Sequence, residues 1–281
     1  MKRIIVCDSG LGGLNIAGHF FSASCGTAEP CELIYFNAYP EKGHGFNALP
    51  DERSQEELFR RVLEAMIPFS PDLCIIGCNT LSVVWERLRA WWQPPFPVSG
   101  IVNTAVDAMA DALREEPDAP MLILGTKTTV GSGIYQERLF RRGISADRLS
   151  SLGCPGLPTI LESDPASTEV RDRIAGYARE TFERFPHRPS KLLLAFCCTH
   201  FEFASSLWQS EFEKVFDIPV KIVDPNNHFD CNFHAVSFRY LARIPLFAGA
   251  RDNIGRFFAV SAPAITGALQ DAKPDPDLFK L

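Results

Sequence analysis

Two apolar runs in this chain end in a cysteine followed by small polar residues. Leu73–Gly77 leads into Cys78-Asn79-Thr80, and Leu192–Phe196 leads into Cys197-Cys198-Thr199-His200. Asparagine and threonine suit the start of a helix, so each cysteine is expected where a strand hands over to a helix. A helix N-terminus presents backbone N–H groups and the positive end of the peptide dipole. Both favour a bound carboxylate, and both lower the pKa of a nearby thiol. Two such thiols on opposite faces of one hydrogen-bearing carbon make an inversion device, in which one removes a proton and the other delivers one. The carbon acid of an amino acid is very weak, so its base must be poised near working pH, held close and shielded from water.

Neighbouring residues fit that chemistry. Asp8 ends the first apolar run, beside the strand of Cys78 in a doubly wound sheet, where it can accept or relay the thiol proton. His200 lies two residues past Cys198, and Glu162, 36 residues after Thr126, is placed to orient it; the same offset from Asp8 falls on His44. A cysteine ending an apolar strand is ordinarily a small core residue, and Cys7, Cys74 and Cys197 are read that way. Competing motifs are weak. Gly10-x-Gly12-Gly13 has Asn15 where a dinucleotide fingerprint needs its third glycine. His228, Cys231 and His234 are spaced by three but lack a second ligand pair, so a surface helix is the better reading and no metal site is expected.

The elements that must position these groups alternate along the chain. Short apolar runs at Ile4–Cys7, Leu33–Phe36, Leu73–Gly77, Val98–Val102, Met121–Leu124, Leu149–Leu152, Leu192–Phe196 and Val220–Val223 read as strands, separated by amphipathic helical stretches. Strand–helix alternation implies parallel sheets covered on both faces, an α/β fold. The pattern also repeats. "IIVCDSGLGG" and "MLILGTKTTVGSG" each open a half, a cysteine-ended strand follows 70 residues after Asp8 and 72 after Thr126, and a Pro-Val pair precedes the next strand. The expectation is two pseudo-symmetric lobes, each a mostly parallel sheet flanked by helices, with the active site between them. Residues 1–102 with 226–281 form the first lobe and residues 103–225 the second. A helix is expected near Phe229–Leu241, and the Pro- and Asp-rich Asp271–Asp277 stretch is expected to be loose.

Composition narrows the class. The chain has 281 residues, 46% of them hydrophobic and 22% charged, with a net charge of −6 and no run of lysine or arginine, which argues against a nucleic-acid partner. No window reaches the ~18 consecutive apolar residues of a membrane helix, and the apolar stretch before Asp8 is too short for a signal peptide, so a cytoplasmic protein is expected. Nine cysteines without a short-spaced framework argue against a disulfide scaffold. A homodimer is compatible with everything in the sequence.

The segments "CDSGLGGLNI" (7–16), "YF" (35–36), "GCNTLS" (77–82), "GTKTTVGSGIYQERL" (125–139), "CPGLPTILE" (154–162), "CCTHFE" (197–202) and "VDP" (223–225), taken in order, resemble a glutamate racemase of the aspartate/glutamate racemase superfamily. The resemblance implies a cofactor-independent enzyme, without pyridoxal phosphate or metal, that interconverts L- and D-glutamate for peptidoglycan. It implies Cys78 and Cys198 as the acid/base thiols, Asp8 assisting the first, and Glu162 with His200 assisting the second. Asp8, Ser9, Asn79, Thr80, Thr199 and His200 would hold the polar groups of a small acidic amino acid. Gly43-His44-Gly45 stands where the family has Pro-Tyr-Gly in a substrate-touching loop, so His44 and Gly45 are expected at the substrate. Cys197 replaces a glycine, and His200-Phe201-Glu202 replaces His-Tyr-Pro. An aspartate racemase of the same superfamily is the alternative, and a degenerate member that binds an acidic metabolite or a partner is the non-enzyme one.

Overall fold

A computed structural model describes residues 1–22, 28–185, 188–228 and 232–281. The chain folds as two compact units, Met1–Ile101 with Phe229–Leu281 and Val102–His228.

The first unit is built on strands β1 (Lys2–Asp8), β2 (Glu29–Asn37), β3 (Leu73–Ile76) and β4 (Val98–Gly100), with helices α1 (Leu14–His19), α2 (Glu52–Glu64) and α3 (Asn79–Leu88) between them. The second runs α4 (Val102–Glu115), β5 (Met121–Gly125), α5 (Lys127–Gly131), α6 (Ile134–Arg141), β6 (Leu149–Gly153), α7 (Leu157–Ser163), α8 (Thr168–Arg184), β7 (Leu192–Cys197), α9 (Ser205–Phe216) and β8 (Val220–Val223). The chain then returns to the first unit as β9 (Phe233–Ala242), α10 (Ala250–Phe258) and α11 (Pro263–Gln270).

Strand order is β4-β3-β1-β2-β9 in the first sheet and, read from the corresponding edge, β8-β7-β5-β6 in the second. The first four strands of each match one for one, with β1 equivalent to β5 and β3 to β7, as the sequence repeat predicts. Each pairing between the described strands is parallel. Strands covered on both faces must be apolar throughout rather than alternating, and β5 and β7 are buried along their whole lengths. In the first unit, Ile5, Cys7, Ile34, Phe36 and Ile76 pack against Phe59, Val62, Leu81 and Val84 from α2 and α3. In the second, Leu122, Leu124, Leu194 and Phe196 pack against Leu161, Ile174, Trp208 and Phe212. Helix starts follow capping chemistry: the Asp51 carboxylate accepts from Ser54 N–H at 2.7 Å ahead of α2, and the Thr126 hydroxyl from Thr129 N–H at 3.2 Å ahead of α5.

Two expectations are corrected. The helix expected near Phe229–Leu241 is instead a ten-residue strand, β9, parallel to β2 at the sheet edge. Its register shifts by one residue at Cys31/Glu32, leaving Val236 outside the ladder; this bulge breaks the period-two pattern and leaves apolar residues at helix-like spacing. The Asp271–Asp277 stretch is tied down rather than loose. Asp275 N–H donates to Ala242 C=O at 2.8 Å, Arg243 donates to the carbonyls of Pro276 and Phe279, and the Phe279 ring is buried 6.2 Å from Phe36. One buried aromatic contributes about 1.5–3 kcal/mol, enough to anchor a segment without regular structure. No described helix is long and apolar enough to cross a membrane. Residues 229–231, including Cys231, lie outside the described residues, and His234 falls on β9 rather than on a helix. Among the described residues no group of three potential metal ligands gathers.

Candidate functional site

Each unit presents one cysteine at the carboxyl end of the strand next to its first, and each thiol has its own set of polar neighbours. In the first unit, Asp8 closes β1 and is wholly buried. Its backbone carbonyl accepts from Ala38 N–H at 2.7 Å, while Gly77 N–H donates to Cys7 C=O at 2.9 Å. These bonds bring the ends of β1, β2 and β3 level. Cys78 follows in an extended conformation and opens α3, its carbonyl accepting from Ser82 N–H at 2.9 Å. Asn79 and Thr80 occupy the first turn, both buried. The Ser9 hydroxyl lies 3.3 Å from Cys78 Sγ.

The sequence argument expected the helix terminus to lower this thiol's pKa. In the folded unit burial wins instead: desolvation first, and the Asp8 carboxylate second, push the Cys78 thiol far up. The Ser9 hydroxyl and the N–H groups of Leu81 and Ser9 pull it back toward the thiolate. The resting group is therefore a protonated thiol beside a carboxylate.

Gly13, read above only as part of a failed nucleotide motif, explains how the turn packs. A Cβ there would stand 2.7 Å from Gly77 O, 2.8 Å from Asp8 Cβ and 2.9 Å from Asp8 Oδ2. The Gly-rich turn thus lies directly on the Asp8 side chain and the Cys78 approach. His44 is exposed, with its N–H donating to Glu41 C=O at 2.9 Å, and Gly45 sits against the Tyr39 ring. The offset that pairs His44 with Glu162 in sequence does not correspond to like surroundings.

In the second unit, Cys198 directly follows β7 and its carbonyl accepts from Phe201 N–H at 3.1 Å. His200 Nδ1 lies 3.7 Å from Cys198 Sγ, and His200 Nε2 lies 2.7 Å from Glu162 Oε1. Glu162 sits near the end of α7, which begins after Gly156 in the left-handed region at φ 75°. All three side chains are buried, as is Thr199, the residue between Cys198 and His200 in the sequence. Burial opposes a charge on His200, but its hydrogen bonds to Cys198 and Glu162 prevail and hold the imidazolium well above the usual histidine range. With Nε2–H donated to Glu162, Nδ1 is left to exchange a proton with the thiol.

Cys197 is the last residue of β7, wholly buried, and its thiol is pushed up by burial, the Asp224 charge and Cys198. The His200 contact falls to Cys198 of this adjacent pair. Cys154, after β6, is a further buried thiol raised by burial and by the charges of Cys198 and Glu180. Cys7 and Cys74 are likewise buried and raised, Cys74 with Sγ 3.8 Å from Met66 Sδ. The structure therefore gathers Asp8, Ser9, Cys78, Asn79 and Thr80 in one unit and Glu162, Cys198, Thr199 and His200 in the other.

No protein-family model matches the chain. By sequence it is similar to the glutamate racemase of Campylobacter jejuni, 28% identical over 203 residues that span 71% of this chain and 73% of that protein. A glutamate racemase of Streptococcus pneumoniae is 26% identical over 205 residues, 72% of this chain and 70% of the relative. The crystal structure of the C. jejuni glutamate racemase has the same fold, with a TM-score of 0.66 at 21% identity, covering 92% of this chain and 98% of that one. The Francisella tularensis glutamate racemase, solved in complex with D-glutamate, gives 0.62 at 18% identity over 92% and 94% of the two chains. These likenesses bear out the resemblance read from the motifs and the expected fold of two parallel sheets flanked by helices.

Proposed function

We propose that this chain is an amino-acid racemase, an isomerase, that interconverts L- and D-glutamate by proton transfer through Cys78 and Cys198 without a cofactor. The observation that carries the reading is the duplication: matched strand orders, each with a buried cysteine after the strand next to its first and a polar side chain on the sulfur. In the scheme, one sulfur takes the α-hydrogen as a proton, leaving the electron pair on the α-carbon. The other sulfur delivers its proton to the opposite face, and the reverse reaction exchanges the roles. On the Cys78 side, the Asp8 carboxylate takes up the thiol proton before abstraction. On the Cys198 side, the proton from the thiol resides on His200 as the imidazolium that Glu162 holds. Ser9, Asn79, Thr80 and Thr199 would bind the substrate's ammonium and carboxylate groups.

The similar racemases act on glutamate by name, and the F. tularensis structure holds D-glutamate, which supports an acidic amino acid as substrate. The product would serve peptidoglycan synthesis in the cytoplasm. Aspartate is the second reading, favoured by Gly43-His44-Gly45 in the loop where the family carries Pro-Tyr-Gly.

Incubation with L-glutamate in D2O is expected to place deuterium at Cα and to yield the D form, while Cys78→Ser and Cys198→Ser each abolish two-way racemisation. Exchange with aspartate alone would overturn the substrate and keep the mechanism. Exchange with no acidic amino acid would overturn the enzyme reading, and undiminished two-way activity in either cysteine variant would overturn the two-thiol scheme.

A further inference from the structure

The turn that carries Ser9 is gripped from behind by two tyrosines. Tyr35 on β2 is wholly buried and donates its hydroxyl to the Gly10 carbonyl at 2.8 Å. Its ring is stacked on that of Tyr240 from β9, with centroids 5.7 Å apart and planes 10° from parallel. Asn37 stands two residues further along β2 and therefore on the same face as Tyr35. It donates Nδ2–H to the Tyr240 hydroxyl at 2.8 Å, and its Oδ1 accepts from Tyr39 N–H at 2.9 Å. In the sheet register Asn37 pairs with Asp8 on one side and with Ala242 on the other. The Gly10 carbonyl belongs to the residue directly after Ser9, whose hydroxyl is 3.3 Å from Cys78 Sγ.

We propose that Tyr35, braced by Tyr240 and Asn37, is a positioning residue for the Cys78 thiol: it fixes the Gly10 carbonyl and so holds the Ser9 hydroxyl on Sγ. The proposal rests on the reading of Cys78 as a reacting thiol. A buried phenol needs an acceptor, and a buried carbonyl needs a donor; here each satisfies the other within the turn that carries Ser9. Among the groups that face Cys78, the Asp8 carboxylate of β1 disfavours its thiolate, whereas the Ser9 hydroxyl is a neutral group that favours it. Loosening Ser9 therefore leaves the opposing charge of Asp8 in place and removes the largest of the hydrogen bonds that offset it. The brace depends on β9, so the segment that returns after the second unit completes the neighbourhood of a thiol near the chain's start.

The test is Tyr35→Phe, which keeps the stacked ring and removes only the hydroxyl. Iodoacetamide alkylation of each cysteine-bearing peptide is followed by mass spectrometry across a pH series, alongside kcat and KM for glutamate. Expected is a slowing of Cys78 alkylation at pH 8 by about 3- to 10-fold, the range for loss of one neutral hydrogen bond. Its profile should move to higher pH, Cys198 should be unchanged, and kcat should fall more than KM rises. An unchanged Cys78 profile in folded Tyr35→Phe, or equal slowing at Cys78 and Cys198, overturns the proposal. If that variant does not fold, Tyr240→Leu, which removes the stacking partner, is measured in its place with the same two decisive results. Alkylation reads the thiol directly, so a chain inactive on amino acids would still show or refuse the Cys78 change.

Discussion

Glu162→Gln isolates the charge in the Glu162–His200–Cys198 chain. The substitution keeps the shape of the side chain and one acceptor oxygen but replaces a carboxylate 2.7 Å from His200 Nε2 with a neutral amide. A hydrogen bond to a charged group contributes about 1.5–3 kcal/mol. At about 1.36 kcal/mol per pH unit, His200 should titrate roughly one to two pH units lower in the variant. Carbon-13 histidine NMR, with the His200 signal assigned by its loss in His200→Asn, reads this directly. The stability consequence has a fixed sign. A folded-state pKa raised above the unfolded value of about 6.5 adds stability that is fully present below that value and is lost as pH rises through the folded pKa. The gap in unfolding free energy between the unmodified protein and Glu162→Gln should therefore be largest in mild acid and should shrink on the alkaline side. A His200 signal that titrates at the same pH in both proteins, or a stability gap independent of pH, would refute the argument that Glu162 holds the imidazolium.

Two further substitutions probe the frame. Gly13→Ala drives a methyl against the Gly77 backbone carbonyl and Asp8; with backbone on one side it cannot be relieved by a rotamer change, so a loss of about 1–3 kcal/mol is expected, read as a lower urea midpoint. Phe279→Ala empties a buried ring site beside Phe36 and should cost about 3–5 kcal/mol. Faster proteolysis near Asp271–Asp277 should accompany it, and an unchanged melting temperature would contradict the anchoring role.

Strands such as β1, β3, β5 and β7 were legible because each carries an apolar run buried on both faces and is bounded by glycine or polar turns. Asp8 and Cys78 could be brought together on paper because parallel neighbouring strands end at one level. The two errors share a physical cause. In β9 the bulge at Val236 disrupts alternation, leaving Phe233, Val236 and Tyr240 at intervals that mimic a helix face. In the final segment, Phe279 is a single anchor with no periodicity to betray it. The Tyr35–Gly10 and Asn37–Tyr240 contacts were invisible for a related reason: the second joins residues 203 positions apart, and nothing local marks either as a partner. Burial was the other hidden quantity. Sequence placed Cys78 at a helix start, where the dipole acts, but the solvent exclusion that outweighs it arises only from packing.

The interrupted course of the first unit has a consequence for biosynthesis. Residues Val102–His228 are contiguous, so a nascent chain can complete that unit as it leaves the ribosome, whereas the Met1–Ile101 segment still lacks its fifth strand and the Phe279 plug. The surroundings of Cys78 are then assembled last, although Cys78 itself is translated early. A stalled or C-terminally clipped chain would carry a finished Cys198 neighbourhood next to an unfinished Cys78 one, and quality control would meet an open β2 edge rather than a wholly unfolded polypeptide.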